Sequence, residues 1–262
     1  MTHARLAYDA MAPVYDDFTA HHRYDEWTAT LEGLAREAGL SGRRLLDVAC
    51  GTGKSFLPFL ERGYDVVACD VSPAMAERAA EKAGGRARVE VHDMRELPRL
   101  GSFDLVCCLD DAVNYLLTPA ELTAALSGMR RNLAPGGVLV FDVNTLATYR
   151  SFFASLVVLP REDQVLVWTG RTAGDLGPGG PAEAILEAFV RDGEGTWSRT
   201  LSHHRQRHHP QAVMRAALAD AGLHCAAVRG MFRDGSVSEQ CGELANTKAV
   251  YVATPTARGR SS

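Results

Sequence analysis

Compact apolar blocks alternate with amphipathic stretches along residues 43–144. The blocks lie in "RRLLDVAC", "YDVVACD", "ARVEVHD", "FDLVCCLD" and "VLVFDVN", and each has the length of a buried strand. The stretches between them have helical spacing. "KSFLPFLERG" stops at Gly63, and "SPAMAERAAEKAGG" has Ser72 as N-cap, Pro73 at the first helical position and a glycine stop. A further helix spans residues 118–132, and "LAPGG" forms a turn that releases the chain into the fifth strand. Strands regularly separated by helices predict a doubly wound α/β fold with a mostly parallel sheet covered on both faces.

The first forty residues have helix-like spacing with several aromatics, Tyr8, Tyr15, Phe18, Tyr24 and Trp27. After Arg150 the period changes to two. "DQVLVWTGRTA", "EAILEAFVRDG" and "TWSRTLSHHRQRHH" alternate polar and apolar residues between turn-rich segments, which predicts an inserted small antiparallel sheet. "PQAVMRAALADAGL" returns to helix, and "HCAAVRGMF" and "TKAVYVA" supply two last strands. The expected organisation is an N-terminal helical segment at 1–40, a core at 41–150, an insertion at 151–208, the end of the core at 209–253 and a disordered tail at 254–262.

Charge and composition narrow the function. The net charge is −4 and no dense basic block occurs, which argues against a nucleic-acid partner. The six cysteines lie mostly in apolar runs without a CxxC spacing, as expected of reduced thiols in the cytoplasm. No apolar signal segment opens the sequence, and no apolar run approaches the about eighteen residues of a membrane span, so no membrane partner is expected.

The chemistry centres on "DVACGTGKS" at 47–55. Gly53-Lys54-Ser55 resembles the end of a triphosphate loop, but the first glycine of that motif would fall at Val48, inside a strand. A dinucleotide fingerprint needs a small residue where this chain has Phe56. Lys54 and Ser55 then become the first residues of a helix.

The remaining match is to class I S-adenosylmethionine-dependent methyltransferases. Asp47, Gly51, Thr52 and Gly53 resemble their first motif, and further matches follow in order: Asp70 ending the second strand, "HDM" at 92–94, "LDDAVNYL" after the fourth strand and "LAPGGVLVFDV" entering the fifth. The chain departs at Ala49, where many members carry glycine. "YDAMAPVYDDF" is similar to the lid of small-molecule N- and O-methyltransferases of bacterial specialised metabolism. The resemblance implies a seven-stranded Rossmann-like sheet with the insertion after strand 5 and an N-terminal helical lid. It also implies S-adenosyl-L-methionine as cofactor, with S-adenosyl-L-homocysteine as product. The implied cofactor contacts are Tyr15, Asp47, Ala49, Cys50, Gly51, Gly53, Asp70, Val71, Met75, Asp93, Met94 and Leu109. Asp70 would take the two ribose hydroxyls and Asp93 the adenine amino group.

For the acceptor, Asp111, Asn114 and Tyr115 follow the fourth strand at the carboxyl edge of the sheet, where open α/β sheets bind ligands. Tyr8, Tyr24, Trp27, Phe152 and Trp168 are candidate walls of a small-molecule pocket, each with simple packing as the competing role. In "HHRQRHH" a strand puts His203, Arg205, Arg207 and His209 on one side and His204, Gln206 and His208 on the other. No local carboxylate or thiol completes a metal set, so no metal is expected; His204 is a candidate base and Arg205 a candidate substrate ligand. Tyr15, Asp111 and His204 are the catalytic candidates. The expected activity is methyl transfer to nitrogen, or oxygen, of a small molecule such as an amino sugar. The competing readings are a methyltransferase acting on RNA or protein and a non-catalytic S-adenosylmethionine-binding module. The insertion is also a candidate homodimer surface.

Overall fold

A computed structural model describes residues 2–256. The N-terminal segment forms α1 (His3–Met11), α2 (Tyr15–Phe18) and α3 (Tyr24–Glu37). The core then alternates β1 (Arg44–Val48), α4 (Leu57–Glu61), β2 (Asp65–Asp70), α5 (Pro73–Ala83), β3 (Ala87–Val91), β4 (Phe103–Cys108), α6 (Pro119–Asn132) and β5 (Leu133–Asn144). After α7 (Leu146–Ser151), the strands β6 (Leu156–Pro160), β7 (Gln164–Gly170), β8 (Pro181–Arg191) and β9 (Trp197–Arg207) make a separate antiparallel sheet. The chain returns through α8 (Gln211–Asp220), β10 (Leu223–Met231), β11 (Val237–Ser238) and β12 (Lys248–Pro255).

The main sheet runs β11-β10-β12-β5-β4-β1-β2-β3, with β1–β5 mutually parallel and β12 antiparallel to both β5 and β10. This is the expected seven-stranded, mostly parallel sheet plus β11, whose two residues are too few to show a period. The local signals act as their chemistry dictates. The Ser72 hydroxyl accepts from the Met75 amide at 3.1 Å, and Thr118 with Glu121 forms a reciprocal capping box at α6. Leu46, Val106, Leu139 and Phe141 bury one sheet face, and Leu45, Leu105, Val138 and Val140 bury the other.

Four expectations change. The segment after the glycine loop is a run of turns through Phe56, and only Leu57–Glu61 is helical, so Lys54 and Ser55 are not helical. "LAPGG" is a bulge inside β5 rather than a separate turn: Leu133 pairs with Phe103 and Val138 with Leu105. Gly137 is required there, because a Cβ would come 2.8 Å from the Phe103 carbonyl oxygen. β6 is a fourth inserted strand, uniformly apolar in sequence and so without the alternation that marks its neighbours. β12 continues through Thr254 and Pro255, which pair with His224 and Leu223, so the chain is ordered past 253; the remainder of the expected tail, 257–262, lies outside the described residues.

The second sheet turns its inner face to the protein. Leu166, Trp168, Ala182, Ala184, Leu186 and Ala188 pack with Tyr149 and Phe153 and with Met11 and Val14 of the N-terminal segment. α1 lies along β9 and also meets α5, so it bridges the two sheets above the carboxyl ends of the core strands.

Candidate functional site

The turn after β1 has an unusual backbone. Ala49, Gly51 and Gly53 all take left-handed φ values, 59°, 54° and 88°. For a residue with a Cβ this costs about 1–2 kcal/mol, which explains why glycine suits position 49 in relatives of this loop. We expect Ala49→Gly to stabilise the fold by about 0.5–1 kcal/mol; an unchanged or lowered denaturant midpoint would refute the strain.

Asp70 organises this turn. One oxygen accepts the Gly51 amide at 2.9 Å and the other the Ser72 amide at 2.8 Å, leaving lone pairs on both oxygens for further donors. Burial pushes its carboxyl up to about 6, against the pull of the two amides. Asp47 is fully buried: Oδ2 accepts from the Ser55 hydroxyl at 2.5 Å, while Oδ1 has no partner among the described residues. Burial pushes this carboxyl up to about 7. Cys50 and Met75 are buried beside the turn and Val71 is half-buried. Asp93 caps the 3-10 turn Met94–Glu96 and accepts from the Arg95 amide and guanidinium, so its carboxylate is already well supplied with donors. Met94 and Leu109 pack into the two core clusters.

Tyr15 lies directly on this turn. Its ring atoms would stand 3.6–3.7 Å from a Cβ at Gly51. Its hydroxyl donates to Asp110 Oδ2 at 3.3 Å, and the Tyr24 hydroxyl donates to the same oxygen at 3.1 Å. Asp110 and Asp111 both take left-handed φ values, 61° and 53°, at the carboxyl end of β4. Two consecutive strained residues persist only where surrounding bonds fix them. Here Asp142 of β5 accepts both their amides, at 2.7 and 3.0 Å. Lys248 Nζ of β12 donates to Asp110 at 3.1 Å, Asp111 at 2.8 Å and Asp142 at 2.7 Å. The Trp27 ring lies 5.6 Å from the same ammonium.

Burial works against every charge in this cluster, and the neighbours decide the outcome. Asp111, Asp142 and Asp110 hold Lys248 protonated far above its ordinary range. Lys248 and His22 hold Asp110 well below the usual carboxylate range. Asp111, although bonded to Lys248, is pushed up to about 6 by burial and by Asp110 and Asp142.

The second sheet reaches the cluster through β9. Ser202, His204, Gln206 and His208 alternate inward and are buried, while His203 and Arg205 point away. Gln206 Nε2 donates to Asp111 at 2.6 Å, and its Oε1 accepts from Asn144 and Tyr149. The Tyr8 hydroxyl donates to Tyr115 at 3.1 Å, and the Tyr115 hydroxyl meets His204 Nδ1 at 2.8 Å. Burial, aided by His203, drops His204 to about 4, so its imidazole is neutral at physiological pH. Trp168 stacks on Phe152 at 4.6 Å and lies 5.4 Å from His204. A cleft of about 360 Å³ opens here between α1 and the β8–β9 edge, with His3, Leu6, Arg171, Glu183, Ser202 and His204 in its walls.

The fold therefore joins Tyr8, Tyr15, Tyr24, Trp27, Asp111, Tyr115 and His204 into one cluster of contacts around Asp110 and Lys248, of which His204 also lines the cleft. Strand alternation turns Arg205 opposite to His204 and away from Asp111; it pairs with Glu183 at 3.1 Å, and both line the cleft of about 360 Å³ instead. Asn114 is fully buried, and both ends of its amide are taken by backbone: Oδ1 by the Asn144 amide, Nδ2 by the Arg207 carbonyl. Sequence reasoning missed Lys248, Asp142 and Gln206. One signal was present, since a charged residue inside "VLVFDVN" or opening "KAVYVA" is out of place in a buried strand unless it is paired.

A glycine turn bonded to a strand-ending acid, at the carboxyl edge of a doubly wound sheet, is the arrangement of a nucleoside-binding Rossmann-like core such as that of the class I methyltransferases. Residues 45–137 match the methyltransferase domain family. The chain is 30% identical over 229 residues to the cypemycin N-terminal methyltransferase of a Streptomyces species, covering 84% of this chain and 90% of that one. The fold is that of an S-adenosylmethionine-dependent methyltransferase from Clostridium acetobutylicum, at TM-score 0.78 and 22% identity over 95% of this chain and 99% of that one. It is also similar to the S-adenosylmethionine-bound CalS10, an amino pentose methyltransferase from Micromonospora echinaspora, at TM-score 0.69 and 26% identity over 93% and 97% of the two chains. The chain belongs to the S-adenosylmethionine-dependent methyltransferases. The turn fits that cofactor, since a buried carboxylate oxygen without a donor and free lone pairs on Asp70 match a ligand that carries an amino group and two ribose hydroxyls.

Proposed function

We propose that this enzyme methylates an amine nitrogen of a small acceptor. The observation that carries this reading is the charge of the cluster beneath Tyr15, where, among the described residues, Asp110, Asp111 and Asp142 meet the ammonium of Lys248 and Asp110 also lies 3.7 Å from His22. Carboxylates in excess draw in a cationic amine and disfavour an acidic acceptor. Relatives named for an amino pentose and for the N-terminus of cypemycin support an amine-bearing acceptor.

S-adenosylmethionine, when bound, supplies a methyl group already activated on a sulfonium. In this proposal Asp70 holds the ribose, and Asp47 with the Ala49–Gly53 turn holds the amino-acid end. Cys50, Val71, Met75, Asp93, Met94 and Leu109 shape the remaining contacts. Tyr15 closes over the turn and Asp111 anchors the acceptor's ammonium. Tyr8, Tyr24, Trp27, Tyr115, Phe152 and Trp168 wall the acceptor site. The protein's main contribution is alignment and exclusion of water, effects that reach about 7–11 kcal/mol in favourable cases. Before transfer the ammonium gives up a proton through the Tyr115 hydroxyl to His204, whose imidazole is neutral and 2.8 Å from that hydroxyl. The freed nitrogen lone pair then accepts the methyl group, and the bonding electrons stay on sulfur, which becomes a neutral thioether. The same Tyr115–His204 pair favours a hydroxyl acceptor as the second reading, since an alcohol needs such a base more than an amine does.

The test is a panel of amino sugars, other small amines, hydroxyl-only analogues, a peptide with a free N-terminus and an RNA, read by mass spectrometry for the gain of one CH₂. Methylation of small amines is expected. Turnover of hydroxyl-only analogues alone would shift the assignment to oxygen, and turnover of peptide or RNA alone would remove the small-molecule reading. Wild-type protein that fails to bind S-adenosylhomocysteine in calorimetry would sink the whole proposal. We place the activity in the cytoplasm, in keeping with six unpaired cysteines and no helix, among the described residues, long and apolar enough to cross a membrane. The outer face of the second sheet exposes Leu156 and Val158, and we propose that two copies meet there. Sedimentation should show a dimer that Val158→Glu dissociates; a monomeric wild type would refute it.

A further inference from the structure

We infer that Thr52, Lys54 and Lys82 are positioning residues that clamp the segment carrying Tyr15 onto the glycine turn, and so govern retention of the cofactor; this rests on the reading that Tyr15 covers the cofactor. Asp16, next to Tyr15, is the centre of the clamp. Its Oδ1 accepts from the Thr52 hydroxyl at 2.6 Å and its Oδ2 pairs with Lys82 Nζ at 2.5 Å. Lys82 also donates to Thr52 Oγ1 at 2.9 Å, which closes a ring of three side chains from three segments. Lys54 acts one turn further along. Its ammonium donates to the Thr19 carbonyl at 2.9 Å, to the Thr19 hydroxyl at 3.0 Å and to the Asp16 carbonyl at 3.4 Å, at the carboxyl end of α2, where a cation is favoured. The Thr19 hydroxyl in turn donates to the Tyr15 carbonyl at 2.9 Å. Lys54 Nζ also lies 5.1 Å from the centre of the Tyr24 ring, so it touches both tyrosines' surroundings.

All three ammonium donors of Lys54 thus point to the N-terminal segment, which gives a role to the lysine that resembles part of a triphosphate loop. Thr52 and Lys54 flank Gly53, so the backbone that would meet the cofactor and the side chains that hold the cover belong to one short turn. Thr52 is fully buried and Thr19 almost so, which keeps water from replacing their bonds. Lys82 and Asp16 are partly exposed, so their pair contributes modestly and shares the load with Thr52.

Four variants, Lys54→Met, Lys82→Met, Lys54→Arg and Lys82→Arg, test the clamp in the full chain. The measurements are S-adenosylhomocysteine affinity, KM and kcat for S-adenosylmethionine, thermal unfolding, and amide hydrogen exchange over residues 15–23. In the methionine variants we expect faster exchange in that segment and a Kd raised about threefold to tenfold. KM should rise by more than kcat falls, the unfolding temperature should stay near that of the wild type, and the arginine variants should recover part of the loss. Asp16→Asn combined with Lys82→Met should cost less than the sum of the two. Unchanged exchange and affinity in both methionine variants would overturn the clamp. If the wild type binds no S-adenosylhomocysteine, the cofactor reading fails, while the exchange measurement still decides whether the clamp exists.

Discussion

Replacing Lys248 by methionine is expected to be the most damaging single change in this protein. It leaves Asp110, Asp111 and Asp142 buried together with no lysine or arginine among their described partners, and with His22, 3.7 Å from Asp110, as the one group among those partners able to take up a positive charge. Stranding buried charge in this way costs about 3–5 kcal/mol, or a fall of about 6–20 °C in Tm for a chain of this size. Adding Asp111→Asn should recover part of the loss, because an amide removes one of the repelling charges while still meeting Gln206. A drop of less than about 2 °C in Lys248→Met would show that the carboxylates are not ionised together and would remove the charge argument for an amine acceptor.

The second large effect is on cofactor affinity. Asp70→Asn keeps one acceptor and loses the charge, and hydrogen bonds to a charged group contribute about 1.5–3 kcal/mol. S-adenosylhomocysteine should therefore bind about 10–150-fold more weakly, by calorimetry. The wild type should also lose affinity as pH falls through about 6, where Asp70 takes up a proton, and the variant should keep only the loss near pH 7 that Asp47 imposes. Stability moves the other way. The folded pKa values of Asp47 and Asp70, about 7 and about 6, lie above their unfolded values, so the folded state binds more protons. Their contribution to stability is fully present below about pH 4 and is lost as pH rises through the folded values. A wild-type affinity that is flat between pH 5 and 8, against this expectation, would mean that Asp70 does not hold the ligand.

The glycine turn and Asp70 were legible because they belong to one short β1–turn–α4–β2 unit, whose two parallel strands bring Gly51 and Asp70 together across only 19 residues. The inward row of β9 was legible too, since period-two alternation alone separates His204 from Arg205. The rest depended on long-range geometry. Lys248 meets Asp142 only because β12 pairs antiparallel with β5 in a register that sets Lys248 opposite Asn144 and Val250 opposite Asp142. Gln206 meets Asp111 only because the second sheet docks against the end of β4. Asn114 looked like a ligand for the same reason that it is a staple, since an amide that serves backbone on two elements suits either role. In β6 the sequence lacks any alternation, and in "LAPGG" the turn residues that suggest a break instead let β5 bulge without leaving the sheet.

The strain at Asp110 and Asp111 also has a kinetic side. Asp142 holds the two amides across only 32 and 31 residues, but the Lys248 bonds that complete the support span 138, 137 and 106, so they form only after a long stretch, including the entire second sheet, has been brought home. Interactions of such separation carry a large closure entropy and are made late on the way to the native state. Their effect therefore falls mainly on the rate of unfolding, and little on the rate of folding. The centre that shapes the site is also a fastener that keeps the folded enzyme from opening.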